Sequence, residues 1–116
     1  MDPTHFRRSG RSAAALELRF RAGSALTQSG TAIDLGMGGA FVGTAAPPDP
    51  GTRVHLEIAA PTMWQPLSVV GVVRWVRSDR RGETPGFGLQ FDALSEAQAA
   101  SLYELLQTSE LSEPTW

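Results

Sequence analysis

The sequence predicts an all-β fold, six short strands in a closed or nearly closed barrel, with one helix at the C-terminal end. Three observations carry that expectation. Apolar and polar residues alternate with period two in several short runs. Clusters of glycine, proline and small polar residues separate those runs about every ten residues. The helical period appears once, after Ser95.

Residues 1–12 have no hydrophobic periodicity and read as a flexible basic arm. From Ala14 the chain alternates, with Leu16, Leu18 and Phe20 on one face and Glu17, Arg19 and Arg21 on the other. That is the pattern of a strand with one wet face. Residues 23–30 are polar and turn-rich, a connection. Residues 31–35 form a short strand that runs into Gly36-Met37-Gly38-Gly39, and Ala40-Phe41-Val42 resumes an extended run. Pro47-Pro48-Asp49-Pro50-Gly51 is a turn.

Residues 53–58 alternate again, with Val54, Leu56 and Ile58 inward and Arg53, His55 and Glu57 outward. Residues 59–66 connect to the longest β-rich stretch, 67–77, dense in the β-branched valines that suit a pleated surface. A charged loop over 78–85 leads to the last strand, 86–91. Ser95-Glu96-Ala97-Gln98 is a capping box, in which hydroxyl and amide satisfy orphan backbone groups. Ala99, Leu102, Leu105 and Leu106 follow at helical spacing, which predicts a helix of about three turns. The barrel with its helix is expected over 13–107, and 108–116 as a flexible acidic tail.

With 116 residues there is room for one core. The apolar stretch around 67–76 is interrupted by Ser68 and Arg74 and is too short to span a bilayer, so no membrane insertion is expected. Met1-Asp2-Pro3-Thr4-His5 has no apolar core of a signal peptide, which points to the cytoplasm. The absence of cysteine excludes disulfides and thiolate metal sites. His5 and His55 have no ligand spacing, so no metal and no cofactor are expected. No nucleophile is paired with a base by motif and no phosphate-cradling loop precedes a helix, which argues against an enzyme.

Net charge is −2, but its distribution is uneven and every basic side chain is arginine. Arg7, Arg8, Arg11, Arg19 and Arg21 crowd the first fifth of the chain, while after Phe91 only acids occur. Arginine's planar fork suits phosphates and purine edges. A coding preference for arginine accounts for the missing lysine as well; it does not account for the clustering. The overall acidic balance and the lack of an aromatic stacking ladder argue against DNA or RNA as the partner.

The order of motifs resembles the PilZ family. Arg7-Arg8-Ser9-Gly10-Arg11 matches its R-x-x-x-R arm, and Asp34-Leu35-Gly36-Met37-Gly38-Gly39 matches its D/N-x-S-x-x-G motif with glycine in place of serine. Gly71-Val72-Val73-Arg74-Trp75 is similar to its Gly-x-Val-x-Trp strand, and Phe87-Gly88-Leu89-Gln90-Phe91 to its closing strand. The likeness spans about residues 6–106.

The resemblance implies a six-stranded Greek-key barrel that binds the bacterial second messenger cyclic di-GMP. It places ligand contacts at Arg7, Arg8, Arg11, Asp34, Gly36, Gly38 and Gly39. The chemistry agrees: guanidinium groups suit phosphate and the guanine O6/N7 edge, a carboxylate accepts from guanine N–H groups, and glycines clear space for a flat ligand. Gly36 removes one hydroxyl hydrogen bond, worth about 0.5–1.5 kcal/mol, or up to roughly tenfold in affinity.

The reading is therefore a nucleotide receptor, monomeric or weakly dimeric, that changes the conformation of its arm and signals to an unidentified protein partner. The alternative is a PilZ domain that has lost the nucleotide and serves as an adaptor in motility, pilus or envelope machinery. Asp34 equally fits a turn, and Gly38-Gly39 a bulge. Met37 is expected to pack beside Phe41, with contact to a ligand base as its alternative, Trp75 in the core or at its rim, and Trp64 in a packed loop, with an exposed aromatic contact as its alternative.

Overall fold

A computed structural model describes residues 16–60, 63–78 and 82–111. The strands are β1 (Leu16–Ala22), β2 (Gln28–Leu35), β3 (Gly39–Gly43), β4 (Arg53–Ile58), β5 (Leu67–Arg77) and β6 (Gly86–Phe91), followed by helix α1 (Glu96–Leu111). All neighbours are antiparallel, and the sheet closes in the order β1-β2-β3-β6-β5-β4. The crossings β3 to β6 and β1 to β4 make it a Greek key, as the family resemblance implied. Closure leaves no unpaired edge to template aggregation.

Alternation translates directly into burial. In β4, Val54, Leu56 and Ile58 are buried while Arg53, His55 and Glu57 are exposed. In β1, Leu18 and Phe20 point inward and Leu16 packs at the margin. Phe20 and Phe87 meet edge to face across the barrel, with ring centroids 5.2 Å apart. These two rings are the largest fully buried side chains among the described residues.

Two boundaries differ from the sequence expectation. β2 begins at Gln28, three residues before the expected start at Thr31, because the hairpin turn is confined to the residues after Ala22 and Gln28 already pairs with Phe20. α1 has 16 residues and continues to Leu111, past the boundary expected at 107. The capping box fixes its start: Gln98 N–H donates to Ser95 Oγ at 3.0 Å, and Ser95 N–H to Gln98 Oε1 at 2.8 Å. Nothing after Gln107 breaks a helix until Pro114.

The helix docks on β5 and adds Leu102, Leu105 and Leu106 to the barrel's own cluster. Gln98 Nε2 donates to the Ser68 carbonyl at 2.8 Å, tying the first turn to the start of β5. No helix among the described residues is long and apolar enough to cross a membrane.

Truncation of Phe20 to alanine removes the ring that spans the barrel, and a loss of about 3–5 kcal/mol in denaturant unfolding is expected. Ser95→Ala removes only the cap, at about 1 kcal/mol. A loss below about 1 kcal/mol for Phe20→Ala would contradict the placement of the core.

Candidate ligand-binding site

Strand phase decides what the outer surface carries. In a regular strand, residues two apart share a face. On β2, however, Ala32 and Leu35 are both buried in the core, three residues apart. A register shift between Ala32 and Asp34 absorbs the extra residue, Ile33. On β5 the shift falls between Val73 and Trp75, with Arg74 as the extra residue, and Val76 packs against the core. Without these bulges, Asp34 and Trp75 would fall in phase with Ala32 and Val73 and point inward.

The two slips land in register. Asp34 pairs with Phe41, Phe41 with Gly88, and Gly88 with Trp75, so these four residues form one row across β2, β3, β6 and β5. Side chains of directly paired residues share a face. Phe41 and Trp75 stack nearly parallel, with centroids 5.1 Å apart and planes inclined by 11°. They meet above Gly88, where a Cβ would lie 2.2 Å from the Trp75 indole nitrogen. The Arg77 guanidinium sits 4.4 Å from the Phe41 ring centroid, and its Nε donates to the Thr84 carbonyl at 2.7 Å. Phe41 is thereby buried outside the barrel core, whereas Trp75 stays 49% exposed.

Beside this row lies a cleft of about 430 Å³. The 36–39 turn forms one wall, Arg74 and Trp75 the other, and Gly88, Leu89 and Gln90 the floor. The turn is closed by Gly36 N–H on the Gly39 carbonyl at 2.9 Å, and Phe91 N–H holds the Gly38 carbonyl at 2.9 Å. Arg74 Nε donates to Gln90 Oε1 at 2.6 Å. The arrangement offers a planar aromatic surface, a guanidinium and exposed turn backbone in one recess, which suits a flat, polar-edged ligand.

The family model described as PilZ domain matches residues 5–108. The chain belongs to the PilZ domain family. Solved structures agree with this fold. The PilZ domain of Escherichia coli YcgR, determined with c-di-GMP, superposes with a TM-score of 0.71 at 18% identity, covering 87% of this chain and 88% of that one. The PilZ domain of CeSA from a cellulose-synthesizing bacterium gives 0.64 at 20% identity, over 86% and 97%. The inhibitor of motility MotI (DgrA) of Bacillus subtilis gives 0.71 at 18% identity, over 90% of this chain and 51% of its own, so this chain spans about half the length of MotI. A search of the curated proteins finds no match.

In this PilZ domain the residues singled out from sequence divide into three groups. Gly36, Gly38 and Gly39 line the cleft. Asp34 lies outside its lining and occupies the adjoining row opposite Phe41. Arg7, Arg8 and Arg11 lie outside the described residues. The glycines are not equivalent. A Cβ at Gly39 would meet the Leu89 carbonyl oxygen at 2.3 Å, so the barrel itself requires glycine there. A Cβ at Gly38 would meet nothing within 4 Å.

The sequence alone does not place Arg74, Trp75, Gly88 and Gln90 in the cleft, because the first two turn outward together only through a bulge and the last two adjoin them only through the strand order. The Gly-x-Val-x-Trp resemblance was the available signal. At two positions the packed placement gives way to exposure. Met37 is 40% exposed on the cleft rim, since the turn carries it away from the sheet. Trp64 is fully exposed, although its neighbour Met63 packs against the core.

Gly38→Ala should leave unfolding stability within about 0.5 kcal/mol, whereas Gly39→Ala should destabilise measurably. Gly88→Val should displace Trp75 from Phe41 and alter the near-ultraviolet circular dichroism while the far-ultraviolet spectrum keeps its β shape. An unchanged near-ultraviolet spectrum would contradict the stacked geometry.

Proposed function

We propose that the chain is a cyclic di-GMP receptor and adaptor, non-catalytic and cytoplasmic, that passes nucleotide occupancy to a protein partner. The observation that carries this reading is the row Asp34, Phe41, Gly88 and Trp75 beside the 36–39 turn. It joins a carboxylate for guanine N–H groups to an exposed indole face on which a base stacks. The arm arginines Arg7, Arg8 and Arg11 supply guanidinium groups for phosphates and base edges. YcgR's PilZ domain, which shares the fold, was determined with this nucleotide, and MotI is named for inhibition of motility. Motility control is therefore one output that suits the adaptor reading. Ligand capture changes the conformation of the arm in a monomer or weak dimer, and the new surface is what a partner reads.

Gly36 favours one other reading. The position where the family motif has serine has no hydroxyl here, and a domain that has given up the nucleotide would act through proteins alone.

Calorimetric titration with cyclic di-GMP, with GTP and cyclic GMP as controls, separates the two. The receptor reading expects saturable binding to cyclic di-GMP alone. Arg7→Ala or Arg11→Ala should cost about 1.5–3 kcal/mol each, as for hydrogen bonds to charged groups, and Trp75→Ala about 1–3 kcal/mol. Gly38→Ala should weaken binding without loss of stability. Absence of binding at high ligand concentration supports the adaptor that works without nucleotide.

A further inference from the structure

Consecutive residues of a strand point to opposite faces. The bulge in β5 breaks this rule at the cleft: Arg74 and Trp75 are both exposed and both line it. An aromatic platform and a guanidinium thus stand side by side on one wall. Among the described residues lining the cleft, Arg74 alone carries a charge.

Its orientation is held. Arg74 Nε donates to Gln90 Oε1 at 2.6 Å, and Gln90 also lines the cleft. That bond uses one of the five guanidinium N–H donors and fixes the plane of the group, leaving the Nη donors for a ligand. It also occupies one lone pair of Gln90 Oε1 and orients the amide, whose N–H donors add to those of Arg74. Arg74 and Gln90 together supply side-chain donors next to Trp75.

We propose that Arg74, positioned by Gln90, selects guanine over adenine at the major-groove edge of the base, beside the carboxylate proposed for the guanine N–H groups. The inference rests on the receptor reading above. A base stacked on Trp75 turns an edge toward the neighbouring guanidinium. Guanine's major-groove edge carries two acceptors, N7 and O6, which match a bidentate arginine; adenine carries N7 and an amino donor. The arginine fork, which has no acceptor, pairs fully with the first and sets donor against donor with the second. The same donors could instead hold a ligand phosphate, in which case the base would not matter.

Calorimetry on the full chain with cyclic di-GMP and cyclic di-AMP distinguishes these cases, using Arg74→Ala, Arg74→Lys and Gln90→Ala. Both residues are exposed, and a thermal melt of each variant checks the fold. Arg74→Ala should weaken cyclic di-GMP roughly 5- to 100-fold and leave cyclic di-AMP unchanged or tighter, so that the guanine preference falls. Arg74→Lys, which keeps the charge and loses the fork, should not restore it. Gln90→Ala should lower the preference by a smaller factor. Equal weakening of both nucleotides with rescue by lysine would overturn the inference in favour of a phosphate contact, and so would unchanged affinity in Arg74→Ala. If the unaltered chain binds no cyclic di-GMP, the receptor reading falls and takes this inference with it; binding that ignores Arg74 overturns the inference alone.

Discussion

Along β2 the inward positions run from Ala32 to Leu35, and along β5 from Val73 to Val76. Both intervals are three residues where a regular strand needs two, so each strand must carry one residue that pairs with nothing. The barrel interior enforces this. Leu35, at 1% exposure, cannot leave the core without forfeiting most of the roughly 1.5–3 kcal/mol that burial of a leucine contributes. The price of satisfying the core is a bulge on either flank of β3 and β6. Its consequence is that a carboxylate and an indole that would have been buried appear outside, on one row.

What that row becomes depends on a gap. Gly88 stands between Phe41 and Trp75, and only an absent side chain lets the two rings lean together above it. The stack contributes about 0.5–1.5 kcal/mol beyond area burial. Arg77 adds a cation over the Phe41 ring. Phe41 is thereby shielded from water without entering the core, and Trp75 is left with an open face. The second consequence is at Arg74: the bulge that turns Trp75 outward leaves its neighbour outward as well, so platform and guanidinium adjoin. Opposite them the 36–39 turn brings backbone to the cleft, anchored by hydrogen bonds to its own ends and to β6.

Much of this fold was legible in the sequence. Alternation in 53–58 and in 16–20 fixed both the strands and their inward faces, because each has one wet side and no irregularity. Ser95 and Gln98 announced the helix start through a local hydrogen-bond pattern that needs no tertiary contact. The family motif located the turn wall of the cleft at Gly36, Gly38 and Gly39. The opposite wall was not legible. A bulge costs one unpaired residue at a place chosen by the whole barrel, and neither Ile33 nor Arg74 differs locally from a residue in a regular strand. The orientation of Asp34, Arg74 and Trp75 therefore follows from closure of the sheet, which no short window of sequence contains. Trp64 was left between a packed loop and an exposed contact, since only tertiary contacts decide between them, and it is exposed.

The proposed ligand face is the outer surface of β2, β3, β5 and β6. A titration of the isotopically labelled chain with cyclic di-GMP, followed by nuclear magnetic resonance, tests it residue by residue. The account predicts saturable shifts of the Gly36, Gly38 and Gly39 amides and of the Trp75 indole N–H, with the amides of β1 and β4 unmoved. Shifts confined to the groove between α1 and the start of β5, or none at saturating nucleotide, would contradict it.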